Sequence, residues 1–421
     1  MLVQSATQIP FVVILLVVLV LAKVLGEIME HFGQPSMIGE VLAGIILGPS
    51  VLSLIHAGDV SVLSELGVFM LIMMAGMEIE VEEIRNSIRG RNGLIAVLGF
   101  LIPFITGAAI GYFFNFNTTL SIILGLCIAI TALPVSIRIL MDLGKLNSDV
   151  GRMIISAAIF NDVLSLLILG VILDFTQESK ALKDLIMTTT WSLAKVMFFM
   201  AFLIIAYKLF KLVKRKVRVI NPRFNKFMTL LRGKESLFAL VIMYVLAFAS
   251  IAEWVGLHFI VGAFFGAILV PRSIFAKGNL EKVKTTTSVI TIGFLGPIFF
   301  ASIGMSFALT SLGDYPLMIT ILIVSFLSKI IGGYYGGRFS GMDKSKSLAL
   351  GLGLNARGIM ELVIANVALQ RGFISQSVFS ILVLMALLTT LLTPIFLKRA
   401  FQYIDRGQEK IRSVTESQLK S

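Results

Sequence analysis

The sequence predicts an all-α polytopic membrane protein with about 13 transmembrane helices. Its 421 residues are 57% hydrophobic and only 14% charged, with a mean hydropathy of +0.95. Soluble domains of this size are far less apolar. Apolar runs close to 20 residues, the length that a helix needs to cross a bilayer, recur along the whole chain.

Each predicted span is one of these apolar runs, and only 257–271 is clearly short. In chain order the predicted spans are residues 8–30, 35–54, 61–78, 93–114, 118–140, 150–175, 185–210, 235–254, 257–271, 288–309, 316–338, 347–370 and 374–398.

The basic residues support this count because they alternate between the two sides of the membrane. The connections after even-numbered spans contain only Lys180, Lys183 and Arg371. The connections after odd-numbered spans, the span ends that border them and the C-terminal tail contain 29 of the 36 Lys and Arg residues. Cytoplasmic loops are enriched in Lys and Arg, so we expect the N-terminus outside and the C-terminus in the cytoplasm of an inner or plasma membrane. The same asymmetry accounts for the net charge of +12 without nucleic acid as a partner.

We expect one transmembrane domain over residues 1–400 and a short cytoplasmic tail over 401–421. The most basic connection, 208–234, contains ten Lys and Arg residues and falls near the middle of the chain. It divides the domain into halves of about 30–200 and 235–398.

The two halves show weak internal similarity at an offset of 222 residues. This shift aligns Gly44–Pro49 with Gly266–Pro271 and Ile130–Pro134 with Leu352–Ala356. With about six extra residues, Ala75–Met77 also aligns with Ile303–Met305. Equivalent spans differ by seven in number, an odd value, so the repeats would have opposite topology. Inverted repeats of this kind are typical of secondary transporters.

Two spans at equivalent places in the repeat contain helix-breaking residues. Pro134, in Thr131–Pro134, lacks an amide donor and interrupts the fifth span. Glycines 351, 353 and 358 and Asn355 loosen the twelfth. Irregular backbone at membrane depth is tolerated where protein buries it or where it lines a cavity. These breaks therefore predict a binding site, although ordinary helix kinks are the alternative.

Asn161 and Asp162 lie in the middle of the apolar stretch 154–175. A carboxylate at mid-bilayer costs roughly 3 kcal/mol, so a partner or an ion is needed to keep it there. Burial favours the protonated form and a bound cation favours the ionised form, so a proton and a cation can compete for one carboxylate. We predict an alkali-cation site at Asp162, with neutral oxygen ligands from Asn161, Thr131 and Ser156.

Four more ionisable residues lie within predicted spans. Lys329 could pair with Asp162, replace the cation in an empty site, or balance a helix end. Arg357 and Glu361 are four residues apart on one helix face and predict an internal ion pair. Glu40 could hydrogen-bond a neighbouring helix or line an access path.

The sequence gives little support for an enzyme. Cys127 is the only cysteine, and the three histidines lack the spacing of metal ligands. Neither a metalloprotease motif, nor a phosphate-binding loop, nor a nucleophile elbow is present in the sequence. We therefore expect a non-enzymatic protein without a cofactor.

Six motifs, in this order and spacing, resemble the monovalent cation/proton antiporters, in particular the second family of that group. This family includes bacterial Na⁺/H⁺ exchangers and the membrane parts of glutathione-gated K⁺ efflux systems. The resemblance extends over about residues 8–400. The motifs are Ile38–Pro49, Thr131–Pro134, Ala158–Asp162, Pro297–Gly304, Ser328-Lys329 and Asn355–Ala365.

The resemblance implies a homodimer in the lipid bilayer, an ion site at two crossed broken helices, and elevator-like alternating access. It also implies that Asp162 is the shared cation and proton carboxylate and that Lys329 is the core lysine. Electrogenic members typically carry two adjacent aspartates, whereas this chain has Asn161 before Asp162. Since one titratable group is missing, we expect electroneutral exchange of one cation for one proton.

We therefore predict an antiporter that exchanges Na⁺, or else Li⁺ or K⁺, for H⁺ and serves pH homeostasis. A K⁺/H⁺ efflux antiporter is the nearest alternative, followed by an organic-anion symporter of related fold and by a membrane receptor or scaffold. About two dozen residues follow Leu397, too few for the nucleotide-binding domain that gates many K⁺ efflux members. We expect an ungated exchanger unless a separate subunit regulates it.

Overall fold

A computed structural model of the protein describes residues 10–88, 90–173, 182–220, 234–270 and 279–419, and every regular element in these ranges is helical. Parts of some predictions fall outside the described residues. These are Lys180, residues 1–9 with the start of the 8–30 span, the ends of the 150–175 and 257–271 spans, residues 221–233 of the basic connection, and the last two residues of the tail.

Seventeen α-helices occur in the described part of the chain, together with two short 3₁₀ turns, Ala57–Val60 and Leu309–Gly313, and one π turn, Thr291–Leu295. The α-helices are α1 (Phe11–His31), α2 (Ser36–Leu47), α3 (Ser61–Glu78), α4 (Val81–Ile88), α5 (Gly90–Phe113), α6 (Thr118–Ala129), α7 (Leu133–Asp142), α8 (Asp149–Ile172), α9 (Leu182–Ile220), α10 (Lys234–Val255), α11 (Phe259–Ile268), α12 (Asn279–Ile290), α13 (Gly296–Met305), α14 (Tyr315–Phe339), α15 (Lys344–Gly353), α16 (Ile359–Gln370) and α17 (Gln376–Leu419).

The chain is a multi-pass membrane protein. Ten of its described helical segments are long and apolar enough to cross a bilayer, and three shorter apolar helices, α2, α11 and α16, accompany them. The number 13 is reached only when these three also count as crossings, so that number stays a prediction, as does the orientation of the termini. The beginning of the basic connection continues α9 as far as Ile220, and the C-terminal tail continues α17 as far as Leu419.

Both predicted helix breaks are confirmed. The fifth span divides into α6 and α7, with residues 130–132 extended or irregular between them. Pro134 lies at the start of α7, where its missing amide donor costs nothing. The twelfth span divides into α15 and α16 around residues 354–358.

The described helices form two compact units, each assembled from two separate stretches of chain. The first unit comprises residues 1–81 and 166–308, and the second comprises 82–165 and 309–421. Within the first unit, α2 packs on α1 and α13, and α11 packs on α3 and α10. Within the second, α5 packs on α6 and α14, α14 packs on α15, and α17 packs on α15 and α16.

Two close helix contacts in the first unit support the predicted repeat. A methyl group on Gly304 would lie 2.0 Å from the carbonyl oxygen of Val41, and one on Gly76 would lie 2.6 Å from that of Phe264. The repeat alignment equates Gly76 with Gly304 and places Val41 on Ala263, next to Phe264. Equivalent glycines thus make equivalent backbone contacts, α13 on α2 and α3 on α11.

Candidate functional site

The predicted ion-site pair lies halfway along α8. The side chains of Asn161 and Asp162 are buried, with 0% and 1% of their surface exposed. Apolar residues surround them in sequence, and Ala157, Ala158 and Ile159 on the same helix are also buried. A buried carboxylate and amide in a membrane-length helix are therefore confirmed, while their role as ion ligands remains to be argued.

The hydroxyl of Thr131 connects the two helix breaks to α8 and α14. It donates to the carbonyl oxygen of Leu354 at 2.9 Å. It accepts from Lys329 Nζ at 2.8 Å and from Asn161 Nδ2 at 3.1 Å. A threonine hydroxyl has one donor and two acceptor positions, so all of them are occupied. The Ala132 amide donates to the carbonyl oxygen of Ala356 at 2.8 Å, which joins the two breaks through their backbones as well.

The hydrogen bonds of Thr131 also determine how the Asn161 amide is oriented. Thr131 has a single hydroxyl proton, and the carbonyl oxygen of Leu354 can only accept it. The Asn161 atom facing Thr131 must therefore be the donor Nδ2, which leaves Oδ1 on the opposite side of the amide. Asn161 Oδ1 is buried and accepts no hydrogen bond from any described residue. A buried acceptor in this state points to an ordered water or an ion.

Lys329 balances a helix end, which was one of the three predicted alternatives for it. From the middle of α14 its ammonium group, fully buried, donates to the carbonyl oxygen of Ala129, the last residue of α6, and to that of Gly99 at 3.3 Å. With the bond to Thr131 Oγ1, all three N–H donors of an ammonium group are used. Lys329 also interacts electrostatically with Asp162, Glu361 and Arg357.

The predicted Arg357–Glu361 ion pair is confirmed, with 3.4 Å between Arg357 NH1 and Glu361 Oε2 and both side chains fully buried. Arg357 also binds the end of α6, donating through NH1 to the carbonyl oxygen of Cys127 and through NH2 to that of Ile128 at 2.8 Å. Two cationic side chains thus bind the last three carbonyl oxygens of one half-helix.

The other two predicted residues lie apart from this network. Ser156 is half-buried on α8, and its hydroxyl makes no hydrogen bond with any residue that the structure describes. Glu40 belongs to the first unit, where it is 2% exposed on α2. There Gly26 of α1 leaves room for it, because a methyl group on Gly26 would lie 3.4 Å from Glu40 Cγ.

Sequence reasoning missed the main-chain carbonyl groups that organise the site. A helix that stops inside the membrane leaves up to four carbonyl oxygens without an amide donor and carries a partial negative charge at that end. The predicted break after α6 was a usable signal that buried cations must lie nearby. Asn355, predicted only to loosen its span, is also buried, and its Oδ1 accepts no hydrogen bond from a described residue.

The arrangement is chemically suited to a small hard cation. Lys329 and Arg357 neutralise the negative end of α6. Two buried amide oxygens, those of Asn161 and Asn355, have no described donor, and the Asp162 carboxylate is buried next to Asn161. Alkali cations prefer oxygen ligands of this kind, so the surplus of acceptors over donors favours a cation, a proton or water.

Comparisons with known proteins give a consistent result. The sodium/hydrogen exchanger transmembrane family model matches residues 6–402. The Na⁺/H⁺-K⁺ antiporter GerN of Bacillus cereus is 30% identical over 394 residues, which cover 93% of this chain and 96% of GerN. A Na⁺/H⁺ antiporter of Enterococcus hirae is 28% identical over 390 residues, covering 92% and 97%.

Among solved structures, the sodium proton antiporter MjNhaP1 from Methanocaldococcus jannaschii superposes with a TM-score of 0.68 at 15% identity. The match covers 93% of this chain and 96% of MjNhaP1, so the two share a fold. With the family model matching nearly the whole chain, the protein belongs to the sodium/hydrogen exchanger family.

Proposed function

We propose that this protein is a secondary antiporter that exchanges a monovalent cation for H⁺, with Asp162 as the carboxylate that both ions share. The observation that carries the proposal is a carboxylate 1% exposed at the middle of a membrane-length helix, directly after Asn161, whose hydrogen bond to Thr131 reaches the two helix breaks. The relatives named above are antiporters, which supports transport over enzymatic catalysis.

Na⁺ is the preferred cation in this proposal, with Li⁺ and K⁺ as further substrates. The donor set, a carboxylate and amide oxygens, suits any of the three. Both curated relatives are named for Na⁺, and GerN is also named for K⁺. Asn161 Oδ1 is the proposed neutral ligand. Thr131 holds Asn161 in position and would bind the cation only if it gave up one of its present hydrogen bonds.

The exchange is electroneutral in this proposal. Lys329 donates to three oxygen atoms and so needs all three of its protons, while Arg357 is always charged. Asp162 is then the group that loses a proton when a cation arrives, which gives one cation for one proton.

Transport is proposed to follow an elevator-like alternating-access mechanism in a homodimer, with the N-terminus outside and the C-terminus in the cytoplasm. Such a mechanism needs one unit that carries the ion and a second unit that stays in place. The chain has two compact units, and the second contains Asp162, Lys329 and both helix breaks. The basic connections after odd-numbered spans support the orientation.

The test is proton flux in proteoliposomes on addition of Na⁺, Li⁺ or K⁺. Asp162→Asn removes one charge with little change in volume, so we expect it to abolish cation-triggered flux while the protein still folds. Asp149→Asn is the matched control, because Asp149 begins the same helix, is 76% exposed and lies 3.8 Å from Lys346. We expect it to transport like the wild type.

Full activity of Asp162→Asn would refute the assignment of that carboxylate. A higher apparent affinity for K⁺ than for Na⁺ would replace the Na⁺ preference by the K⁺/H⁺ alternative. A current that reverses with membrane potential would refute electroneutrality.

A further inference from the structure

The first unit contains a cavity of about 320 Å³ between the end of α3 and the helix α12. Met74 and Met77 form its apolar floor, and Val289 and Ile292 form an open apolar side, 65% and 46% exposed. Thr287 also belongs to the cavity lining; this residue is 1% exposed, and its Oγ1 has no hydrogen-bond partner among the described residues. A buried hydroxyl group in this state calls for a partner beyond the described residues.

Two opposite charges line the same cavity. Glu78 and Lys284 interact electrostatically across it. The Glu78 carboxylate makes no hydrogen bond or close ion pair with any described residue. Lys284 has Glu281 as its own helix neighbour, but at 4.0 Å that pair is weak. The cavity therefore presents one anionic and one cationic group, both available to a ligand.

The charged and apolar parts of the cavity lie at different depths. Glu78 ends the predicted span 61–78, and Lys284 precedes the predicted span 288–309 by four residues. Both charges therefore belong at the boundary between membrane and water. Met74 is one helical turn inside Glu78, and Val289 and Ile292 are one and two turns inside Lys284. A ligand with a charged head and an apolar tail, oriented like a lipid, fits this gradient.

We propose that this cavity binds the headgroup of a zwitterionic phospholipid that carries a primary amine, such as phosphatidylethanolamine. The ammonium group would bind Glu78, and the phosphate would bind Lys284, each by charge-assisted hydrogen bonds. An acyl chain would lie along Val289 and Ile292. Glu78 disfavours a purely anionic headgroup, and a quaternary ammonium group has no N–H to donate to it.

The test is native mass spectrometry of the purified full-length protein with equal amounts of phosphatidylethanolamine, phosphatidylcholine and phosphatidylglycerol. One charge-assisted hydrogen bond corresponds to about tenfold in affinity. We expect wild type to retain phosphatidylethanolamine about tenfold over the other two lipids. Glu78→Gln should remove that preference, and Lys284→Gln should weaken retention of all three by about tenfold.

Glu281→Gln is the matched control, because Glu281 lies one turn from Lys284, is 75% exposed and is not part of the cavity lining. We expect it to bind lipid like the wild type. Equal retention of the three lipids by wild type, or an equal loss in Glu281→Gln and Lys284→Gln, would overturn the proposal. Glycerophosphoethanolamine has the same headgroup but no acyl chains. If an equimolar amount of it displaced the lipid, the proposed acyl-chain contact would be wrong. All variants should keep Na⁺-triggered proton flux, which separates this test from that of Asp162.

Discussion

Replacing Arg357 by methionine removes the one guanidinium group that both pairs with Glu361 and binds the end of α6. Glu361 would then be a fully buried carboxylate without its partner at 3.4 Å. The carbonyl oxygens of Cys127 and Ile128 would lose their donors at the same time.

The expected cost is about 3–5 kcal/mol, the usual range for breaking a buried ion pair from one side. Arg357→Met and the double variant Arg357→Met/Glu361→Gln both leave the two carbonyl groups without donors, so that cost is the same in both. Only Arg357→Met also leaves the buried Glu361 carboxylate without its partner. The double variant should therefore be more stable than Arg357→Met alone by roughly 2 kcal/mol, so the two substitutions are not additive.

Thermal unfolding of the purified variants in one detergent measures this coupling. For a chain of this length, a 4 kcal/mol loss lowers Tm by on the order of 5 °C, and the second substitution should restore about half of that. The control cycle uses Lys346→Met and Asp149→Asn, an exposed pair at 3.8 Å whose coupling should be below about 1 kcal/mol. Strictly additive Tm shifts for Arg357 and Glu361 would show that the two side chains do not form a stabilising pair.

Three further predictions concern other parts of the network. Thr131→Val keeps the volume but removes the hydroxyl that three partners share. It should raise the Na⁺ concentration for half-maximal proton flux by about tenfold or more. Thr131→Ser keeps the hydroxyl and should have a half-maximal concentration close to that of the wild type. Gly304→Ala would place its methyl group 2.0 Å from a backbone carbonyl oxygen, so we expect no folded peak in fluorescence-detected gel filtration. Gly313→Ala is the control, because Gly313 has open space around it, and we expect it to elute as folded protein. Lys145→Met breaks an ion pair with Asp405 at 2.7 Å, but both side chains are partly exposed, so Tm should fall by no more than about 1 °C.

The sequence was sufficient for those features that depend on local chemistry. Pro134 and the glycines around Asn355 identified both helix breaks, because each acts on its own segment of backbone. The spacing of Arg357 and Glu361 predicted their ion pair for the same reason. Asp162 was found because an ionisable residue inside an apolar span is itself unusual.

The partners of Lys329 could not be chosen from the sequence. Its three acceptors lie on α5, at the end of α6 and in the break after it, about 200 residues and more away along the chain. Which of the possible acceptors it meets depends on how far α14 is shifted along α5 and α6. Several shifts bury the same apolar surface, so hydrophobic periodicity cannot distinguish them. Only the general expectation, that a buried ammonium needs several oxygen acceptors, was available in advance.

Lys23 shows how a local signal can exist and still be missed. This lysine lies in the first apolar span, and its ammonium donates to the carbonyl oxygen of Ile292 at 2.7 Å. That carbonyl lies in the π turn, where the Gly296 amide bonds to Thr291 instead, and the next residue, Pro297, has no N–H to offer. Neither the α-helical nor the π-helical donor is therefore present, and a distant side chain supplies one. A proline early in an apolar helix thus predicts an unpaired carbonyl oxygen four or five residues before it, and a lysine in another span is a reasonable donor to look for.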